Sequence, residues 1–495
     1  MLKGVHSCTE GVHGRCTACR RGDQLTGNSE PNKLLAAVMS EADMSNKGLA
    51  ARVRELAKRD GQTVSADHVS VRRWLDGTRP KAATQNYIAL ALGAKLGRRV
   101  DLAEIGFNGG IQPVGPDATQ HGAEYPPSAD AAVDLMSQLT AADLEDQPAL
   151  VRSQWAHEAT PGIITGYMFA DSLHVADADE LRRGGGAAAS AIRATAANLM
   201  DLDFRYGGGH VRKMLLFYFK SEIAPLLQGN HTESERRDLF SAAAEVAQLL
   251  GWSAYDAGRH GAAQRYFVQG LRLAREAQDH VLGGRLLANL SHQANYLGRY
   301  NDAVQFARAA QGSTIAKATP AVTSMFLAME ARALASSGQA REFSRVMHEA
   351  ERFFSQHVPG DEPPWISYFN AEELAGEAAH GFRDLRQPEK ARLYAARAIA
   401  PDDTPPRTKA FIGMVSAAGA LTNGDLEEAV DLAIDAVDLA GPLQSSRYVR
   451  YLTDFHAQLA ALHANDHRTR LFVERVIRHY PEIDLGTAAL LTRIA

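Results

Sequence analysis

The chain has 495 residues, of which 45% are hydrophobic and 22% charged, with a formal net charge of −5. This length exceeds what one hydrophobic core supports and predicts two to three domains, and the composition is typical of an ordinary soluble protein. All three cysteines lie within the first 19 residues, which excludes a disulfide-built fold and leads us to expect a cytoplasmic protein. We expect no secretory signal, because the N-terminus has no apolar h-region, and no membrane association, because the longest apolar run is too short to span a membrane.

The charge is unevenly distributed. Residues 32–99 contain 13 Lys and Arg against 6 Asp and Glu, whereas residues 100–495 contain 36 against 49. A small basic segment joined to a large acidic one is typical of a DNA-binding domain fused to a domain that binds something else. Chance segregation of charge is the alternative interpretation.

Residues 1–31 are polar and Gly-rich, without a helical or strand period. They contain Cys8, His13, Cys16 and Cys19, a set of types and spacings that could hold a structural zinc ion. Nothing nearby forms a core around a metal, so a disordered basic tail is the favoured interpretation. We predict no other cofactor.

Residues 32–107 have the pattern of a helix-turn-helix domain. Ser45 precedes a helix whose buried side includes Leu49, and Val71 and Trp74 lie on one apolar stripe of a second, short helix. Gly77 ends this second helix. In a helix-turn-helix, the second helix enters the major groove of DNA.

These residues resemble the repressor-type helix-turn-helix of the Xre family. The resemblance rests on Ser45, Leu49 and Ala50, and on the run from Val71 to Gly77 with Arg79 and Pro80. Residues 52–63 separate the two parts, where that family has a short turn. Either the first helix of the pair is longer here, or an extra turn is inserted.

The candidate DNA contacts lie in and around the second helix. Arg72 or Arg73 could read guanine bidentately, and His68 and Ser70 lie near the helix start, where such helices meet base edges. A solvated helix face is the alternative for each of them. The full set of predicted DNA-binding residues is Lys47, Ser65, His68, Ser70, Arg72, Arg73, Arg79 and Lys81, with Lys47, Arg79 and Lys81 assigned to phosphates.

Residues 108–128 are dominated by Gly and Pro and are predicted to be a linker. Ala-rich amphipathic helices follow without a strand pattern. Residues 129–245 carry no clear repeat and are predicted to be a helical adaptor or degenerate repeats. Residues 246–495 are predicted to form a repeat array.

The array is indicated by turns that recur at Gly258, Gly298, Gly338 and Gly424, with a weaker copy at Arg386. Small side chains recur at fixed offsets from each turn, and Phe343 is the one exception in fifteen positions. This pattern resembles the tetratricopeptide repeat, in which the turn joins helix A to helix B. The predicted fold is therefore all-α: a helix-turn-helix domain followed by a tetratricopeptide-like helical solenoid.

The resemblance implies a concave groove lined by the A helices, suited to a peptide, a protein or a small ligand. Asn289 occupies a position where peptide-binding arrays place an amide that can bind an extended backbone. An ordinary solvated helix face is the alternative for any single position. The implied groove residues are Gln248, Trp252, Tyr255, Arg285, Asn289, His292, Arg332, Glu377, His380 and Arg383.

Motifs for catalysis are missing from the sequence. His157 and Glu158 begin a zinc-protease motif, but Pro161 stands where the second histidine is required. The Gly triplets at 184–186 and 207–209 lack the Lys-Ser/Thr of a phosphate-binding loop. We therefore predict that the protein is not an enzyme.

The order of an Xre-like domain, a linker and a tetratricopeptide-like array resembles that of actinobacterial transcription regulators, mostly repressors of sporulation and antibiotic production. It is also similar to peptide-pheromone receptors of Gram-positive bacteria. The resemblance implies a nucleoid-associated repressor that binds double-stranded DNA, and we expect a homodimer because one such domain contacts only a half-site. The alternative is a scaffold for protein complexes with little DNA-binding role.

Overall fold

The structure is a computed structural model that describes residues 31–59, 64–78, 80, 82–96, 100, 102, 104–107, 122–169, 186–206, 208–400, 404–441, 443–483 and 485. Its regular structure is entirely helical within these ranges, with no β-strand, which confirms the all-α prediction. The chain divides into two compact units at residues 114 and 115. Within the described segments, no helix is both long and apolar enough to cross a membrane.

The described residues of the first unit form four helices, α1 (Lys33–Glu41), α2 (Asn46–Arg59), α3 (His68–Leu75) and α4 (Ala82–Leu96). Their apolar faces meet in one core that includes Leu35, Leu49, Val53, Val71, Trp74, Ile88, Leu92 and Phe107. The first helix of the helix-turn-helix pair, α2, is 14 residues long, so residues 52–59 of the additional sequence extend this helix.

Asn32 links the beginning and the end of this first unit through hydrogen bonds. Its Oδ1 accepts a hydrogen bond from the Leu35 amide at 3.0 Å, which caps α1. Its Nδ2 donates to the Ile105 carbonyl at 2.9 Å, and its backbone amide donates to the Leu75 carbonyl at 2.8 Å. One residue thus connects α1 with the end of α3 and with the last segment of the unit.

The second unit consists of packed helices. They are α5 (Ala129–Leu144), α6 (Pro148–Val151), α7 (Thr160–Phe169), α8 (Ala187–Tyr206), α9 (Gly208–Tyr218), α10 (Ala224–Leu227), α11 (Glu233–Asp256), α12 (His260–Glu276), α13 (His280–Tyr296), α14 (Tyr300–Ser313), α15 (Pro320–Ser336), α16 (Ala340–Phe354), α17 (Ala371–Asp384), α18 (Pro388–Arg397), α19 (Pro406–Thr422), α20 (Leu426–Ala440), α21 (Ser446–His463) and α22 (His467–His479). From α11 onward the helices form successive antiparallel pairs, as expected for a solenoid.

The predicted turns join the helices of these pairs. Gly258, Gly298, Gly338 and Gly424 have φ values of +77°, +76°, +79° and +87°. In each turn the next amide reaches back to a helix carbonyl, as Arg259 does to Ala254 at 2.8 Å. A left-handed residue at this position closes a helix C-terminus, which explains why glycine recurs there. Arg386 occupies the same place in the weaker copy with a φ of +55°.

The small residues predicted from the repeat lie where the paired helices approach closely. At Gly251, an added Cβ would overlap the ring of Phe267 on the partner helix. Phe343, the large exception, is fully buried because Gly381 on α17 leaves room for its ring. The exception is therefore accommodated by a glycine in the next repeat.

The helices before the array pack against its first pair. Asp143 at the end of α5 is completely buried and accepts hydrogen bonds from Arg212 at 2.6 Å, Arg259 at 2.7 Å and Tyr266 at 3.0 Å. Residues 122–128, assigned to the linker by their composition, are packed on this unit, since Ala123 is fully buried. The remainder of the predicted linker lies outside the described residues.

The array curves until its last helices meet its first. The Asp256 carboxylate at the end of α11 accepts hydrogen bonds from Arg407 at 2.8 Å, Ser445 at 2.8 Å and Arg447 at 3.0 Å. We call these four residues the Asp256 clasp. They join positions 151 to 191 residues apart, so the concave side of the solenoid encloses a cavity.

Candidate functional site

The first candidate site is the outer surface of α3. Asp67 caps this helix, because its Oδ1 accepts hydrogen bonds from the Ser70 amide at 2.7 Å and the Ser70 hydroxyl at 2.8 Å. Both bonds favour the ionised carboxylate, and the pKa of Asp67 lies below its ordinary value. With Val71 and Trp74 directed into the core, the opposite face of α3 remains in solvent.

That face carries three of the eight predicted DNA contacts. His68, Arg72 and Arg73 are exposed, and within the described part of the chain neither arginine makes an ion pair or a hydrogen bond through its guanidinium. Ser65 before the helix and Lys47 at the start of α2 are also exposed. The Ser70 hydroxyl is only partly exposed and is engaged in the cap, while Arg79 and Lys81 lie outside the described residues.

The second candidate site is the cavity inside the solenoid, with a volume of about 570 Å³. Nine of the ten predicted groove residues line it: Gln248, Trp252, Arg285, Asn289, His292, Arg332, Glu377, His380 and Arg383. The tenth, Tyr255, is completely buried behind them and stacks on Trp252 at 5.3 Å. They meet because positions separated by three or four residues share one face of each A helix.

Charged side chains in the cavity are mostly paired with one another. Arg332 on α15 bonds to Glu377 on α17, and both side chains are 10% exposed. Arg383 holds the neighbouring Asp384 at 2.6 Å. The first pair links two adjacent repeats, and the second lies within one helix. Each pair neutralises charges whose burial would otherwise be unfavourable.

The clasp contributes two further arginines to the cavity wall. The Arg447 guanidinium lies 5.3 Å from the Trp252 ring and 5.2 Å from the Tyr255 ring, within the range of cation–π attraction. Burial alone would raise the pKa of Asp256, but the charges of Arg407 and Arg447 outweigh it and lower that pKa. The clasp carboxylate is therefore ionised at neutral pH.

Two histidines in the wall are neutral. The Nδ1 of His292 lies 3.1 Å from the Tyr255 hydroxyl, and the Nδ1 of His380 lies 3.3 Å from the Tyr451 hydroxyl. Burial lowers the pKa of both imidazoles well below the ordinary value, and nearby arginines lower it further. At neutral pH they act as hydrogen-bonding groups without charge.

Arg285 and Glu373 differ from the other charged residues of the cavity. Arg285 is 8% exposed, and its guanidinium donates to the Met325 sulfur at 2.8 Å and to the Tyr368 hydroxyl. Among described residues, no carboxylate lies within 4.0 Å of it. Glu373 likewise has no cation at that distance, and burial followed by the charge of Glu377 raises its pKa to about 7.

Buried donors without partners also occur in this wall. Asn289 is 2% exposed and its Nδ2 has no hydrogen-bond partner within the described ranges; the same holds for the Nε1 of Trp252. A buried donor left unsatisfied is unfavourable by roughly 1–3 kcal/mol. Such donors indicate a binding site in which a ligand supplies the missing hydrogen-bond acceptors.

Several residues that line the cavity were not among those predicted from the sequence. Met325 and Met329 precede Arg332 on the same face of α15, and Glu373 precedes Glu377 by one turn, so the helical period itself would have identified them. Arg407 and Phe411 on α19, and Arg447 and Tyr451 on α21, also line the cavity. Phe411 lies at the same offset from its turn glycine as Arg285, so the repeat pattern would have identified it. Arg447 and Tyr451 reach the cavity through the curvature of the array, since no predicted turn follows α21.

The predicted zinc ligands Cys8, His13, Cys16 and Cys19 lie outside the described residues. In the segments that are described, no group of three or more His, Cys, Asp or Glu side chains is arranged to hold a metal ion.

Comparison with known proteins gives one family. Residues 35–108 match the family described as the SP15 N-terminal domain, a match that covers α1 to α4 of the first unit. No curated protein and no solved structure is significantly similar to the chain. The match applies to a minority of the sequence and therefore characterises the first unit alone.

Proposed function

We propose that this chain is a sequence-specific DNA-binding transcriptional regulator, a repressor by its Xre-like domain order, whose activity is set by an effector bound in the cavity. The observation that carries the DNA-binding part is α3: a capped helix with its apolar side buried and Arg72 and Arg73 free in solvent on the other side. An exposed arginine pair at this position in a helix-turn-helix suits bidentate reading of guanine.

The cavity supports the effector part of the proposal. Its volume of about 570 Å³ falls in the range of small-molecule sites, about 300–1,000 Å³, and charged and polar side chains converge there among aromatic and Met side chains. An effector changes DNA affinity only by binding one shape of the solenoid better than another. The Asp256 clasp gives the solenoid a closed shape that a ligand could favour.

The DNA-binding proposal is tested by immunoprecipitating the full chain from its host and sequencing the bound DNA. Binding to an enriched sequence and to its scrambled version is then compared at several salt concentrations, because release of counterions makes DNA affinity steeply salt-dependent. We expect preference for the enriched sequence. Arg72→Ala/Arg73→Ala should remove that preference, whereas Lys33→Ala/Lys95→Ala, which removes the same charge from α1 and α4, should retain it.

A chain that shows no salt-dependent DNA binding would instead favour the scaffold function.

We further propose a homodimer, with the contact in residues 129–495, because two linked half-site readers gain affinity through effective concentration. Sedimentation of residues 129–495 and of the full chain tests this. If only the full chain dimerises at tens of micromolar, the contact lies elsewhere.

A further inference from the structure

We propose that the effector of the cavity is a small zwitterion of the amino-acid type, with its carboxylate on Arg285 and its ammonium group on Glu373. This inference rests on the ligand-binding role proposed above for the cavity. It starts from the charge pairing of the cavity wall, in which these two residues are the exceptions within the described chain.

Six arginines and five carboxylates line the cavity. Arg332 is paired with Glu377, Arg383 with Asp384, Arg407 and Arg447 with Asp256, and Arg450 with Asp454. Burying a charge without a counter-charge is unfavourable, so pairing is the expected state of such residues. The exceptions therefore need a separate explanation.

Arg285 is positioned by its neighbours but is not neutralised by them. The Tyr368 hydroxyl and the Met325 sulfur accept from one terminal nitrogen, Nη1, and the ring of Tyr368 lies 4.8 Å from the guanidinium. All of these neighbours are uncharged. The contacts orient the planar guanidinium and leave its second terminal nitrogen, Nη2, and Nε for a ligand, which is the geometry that binds a carboxylate bidentately.

Glu373 supplies the opposite charge near Arg285. It lies in the first turn of α17, five residues after Tyr368, and the charge of Arg285 acts on its pKa. The two side chains nevertheless do not form an ion pair with each other within 4.0 Å. A purely anionic ligand on Arg285 would meet the charges of Glu373 and Glu377, and a purely cationic one would meet Arg285. A zwitterion satisfies both groups.

Asn289 agrees with this assignment. It follows Arg285 by one turn on the same face of α13, and its Nδ2 is buried without a partner in the described residues. A carboxylate or amide oxygen of the ligand would accept from it. Met325 and Met329 line the cavity beside these groups and suit an apolar side chain of the ligand.

The test uses the full chain and measures the shift in thermal unfolding with the twenty L-amino acids and with Gly-containing dipeptides. At about 10 mM these probes stabilise the protein measurably if the dissociation constant is about 1 mM or lower. The best probe is then compared with its N-acetyl and carboxamide forms by calorimetry. We expect each blocked form to bind at least about tenfold more weakly, because each leaves one charge of the cavity wall without a partner.

Two variants assign the groups. Arg285→Gln should bind the probe and its carboxamide equally, and Glu373→Gln should bind the probe and its N-acetyl form equally. The exposed pair Arg345→Gln and Glu349→Gln on α16 serves as the matched control and should behave as the wild type. Arg285→Lys retains the charge and should still distinguish the probe from its carboxamide in part. It serves as a second variant if Arg285→Gln does not fold.

The inference is overturned if no probe shifts unfolding, if blocked and free forms bind equally to the wild type, or if Arg285→Gln still distinguishes acid from amide. DNA affinity is measured separately on the same preparation. Probe binding without DNA binding would contradict the proposed regulator function but would still support a zwitterionic ligand in the cavity. DNA binding without probe binding contradicts the zwitterion alone.

Discussion

Arginine is the principal candidate residue at both sites, but its surroundings differ between them. On α3, Arg72 and Arg73 are exposed and have no partner within the described residues. In the cavity, Arg332 and Arg407 have side chains only 10% exposed, and each meets a carboxylate. Arg285 is buried like Arg332, but like the two arginines of α3 it has no carboxylate partner among the described residues.

This difference shows where an arginine without a carboxylate partner indicates a ligand site. An arginine on the surface remains hydrated, so its lack of a partner is ordinary, and its significance depends on the helix that carries it. A buried arginine loses hydration and requires compensation from nearby groups. An unpaired arginine in a cavity therefore indicates a ligand more specifically than one on a helix surface.

The largest effect is expected at the Asp256 clasp. Asp256→Asn removes the carboxylate shared by Arg407 and Arg447, and we expect a loss of about 3–5 kcal/mol in the free energy of unfolding. Urea unfolding of the full chain measures it. Asp454→Asn, whose side chain is 63% exposed and pairs with Arg450 at 3.5 Å, should change this free energy by about 0.5 kcal/mol or less. Equal effects would contradict the distinction between buried and exposed pairs.

The clasp also predicts an acid dependence. Because the pKa of Asp256 is lowered in the folded state, its stabilising effect is complete above the ordinary carboxyl range and is lost as pH falls through the folded pKa. The difference in unfolding free energy between wild type and Asp256→Asn should therefore shrink in acid. A difference that stays constant down to the acid-unfolding limit would argue against an ionised clasp.

Glu377 and Glu373 are one turn apart on α17 and should respond oppositely to removal of charge. Glu377→Gln leaves Arg332 without its counter-charge and should destabilise the protein by about 2–4 kcal/mol. Glu373→Gln removes a carboxylate that has no cationic partner among the described residues and has a pKa raised to about 7. It should stabilise the protein by at most about 3 kcal/mol above that pH.

The pH profile separates these two variants further. A carboxyl whose folded pKa exceeds its unfolded value destabilises the fold increasingly as pH rises from about 4.5 to about 7. This decline should be present in the wild type and reduced in Glu373→Gln. Thermal unfolding at intervals across this range is the measurement, and identical profiles would indicate that Glu373 is solvated or paired.

Substitutions on the exposed face of α3 should weaken DNA binding without changing the stability of the fold. Arg72→Ala or Arg73→Ala should weaken binding to the specific site by roughly 1–3 kcal/mol if the residue reads a base. Neither should change the unfolding free energy by more than about 0.5 kcal/mol, because both are exposed. Titration of the enriched sequence, together with urea unfolding, checks both parts. Unchanged affinity in the double variant would end the assignment of direct readout.

The smallest effect is expected at Lys47, an exposed cation at the start of α2. Lys47→Ala should weaken specific and non-specific DNA alike and reduce the slope of log affinity against log salt by about 1, as for loss of one phosphate contact. Binding isotherms on the enriched and scrambled sequences measure this. An effect confined to the enriched sequence would assign Lys47 to base recognition.

Local sequence patterns determined much of this protein. The period of Val71 and Trp74 predicted the buried side of α3 and hence its outer face, and the recurrent turn glycines predicted the helix pairs. The groove positions implied by the tetratricopeptide resemblance include nine cavity residues on four of the A helices. Such features are predictable because helical periodicity and turn conformation depend on residues within one or two turns of each other.

Only the tertiary structure decided which charges are paired and which are not. Asp256 meets Arg447 across 191 residues because the solenoid curves through many small rotations between neighbouring repeats. Those rotations depend on packing details such as Phe343 against Gly381, and their sum brings α19 and α21 to the cavity. Arg285 and Arg332 occupy similar helix faces in the sequence, yet one is left for a ligand and the other is neutralised. Pairing depends on distances between side chains of different helices, which the pattern along any single helix does not contain.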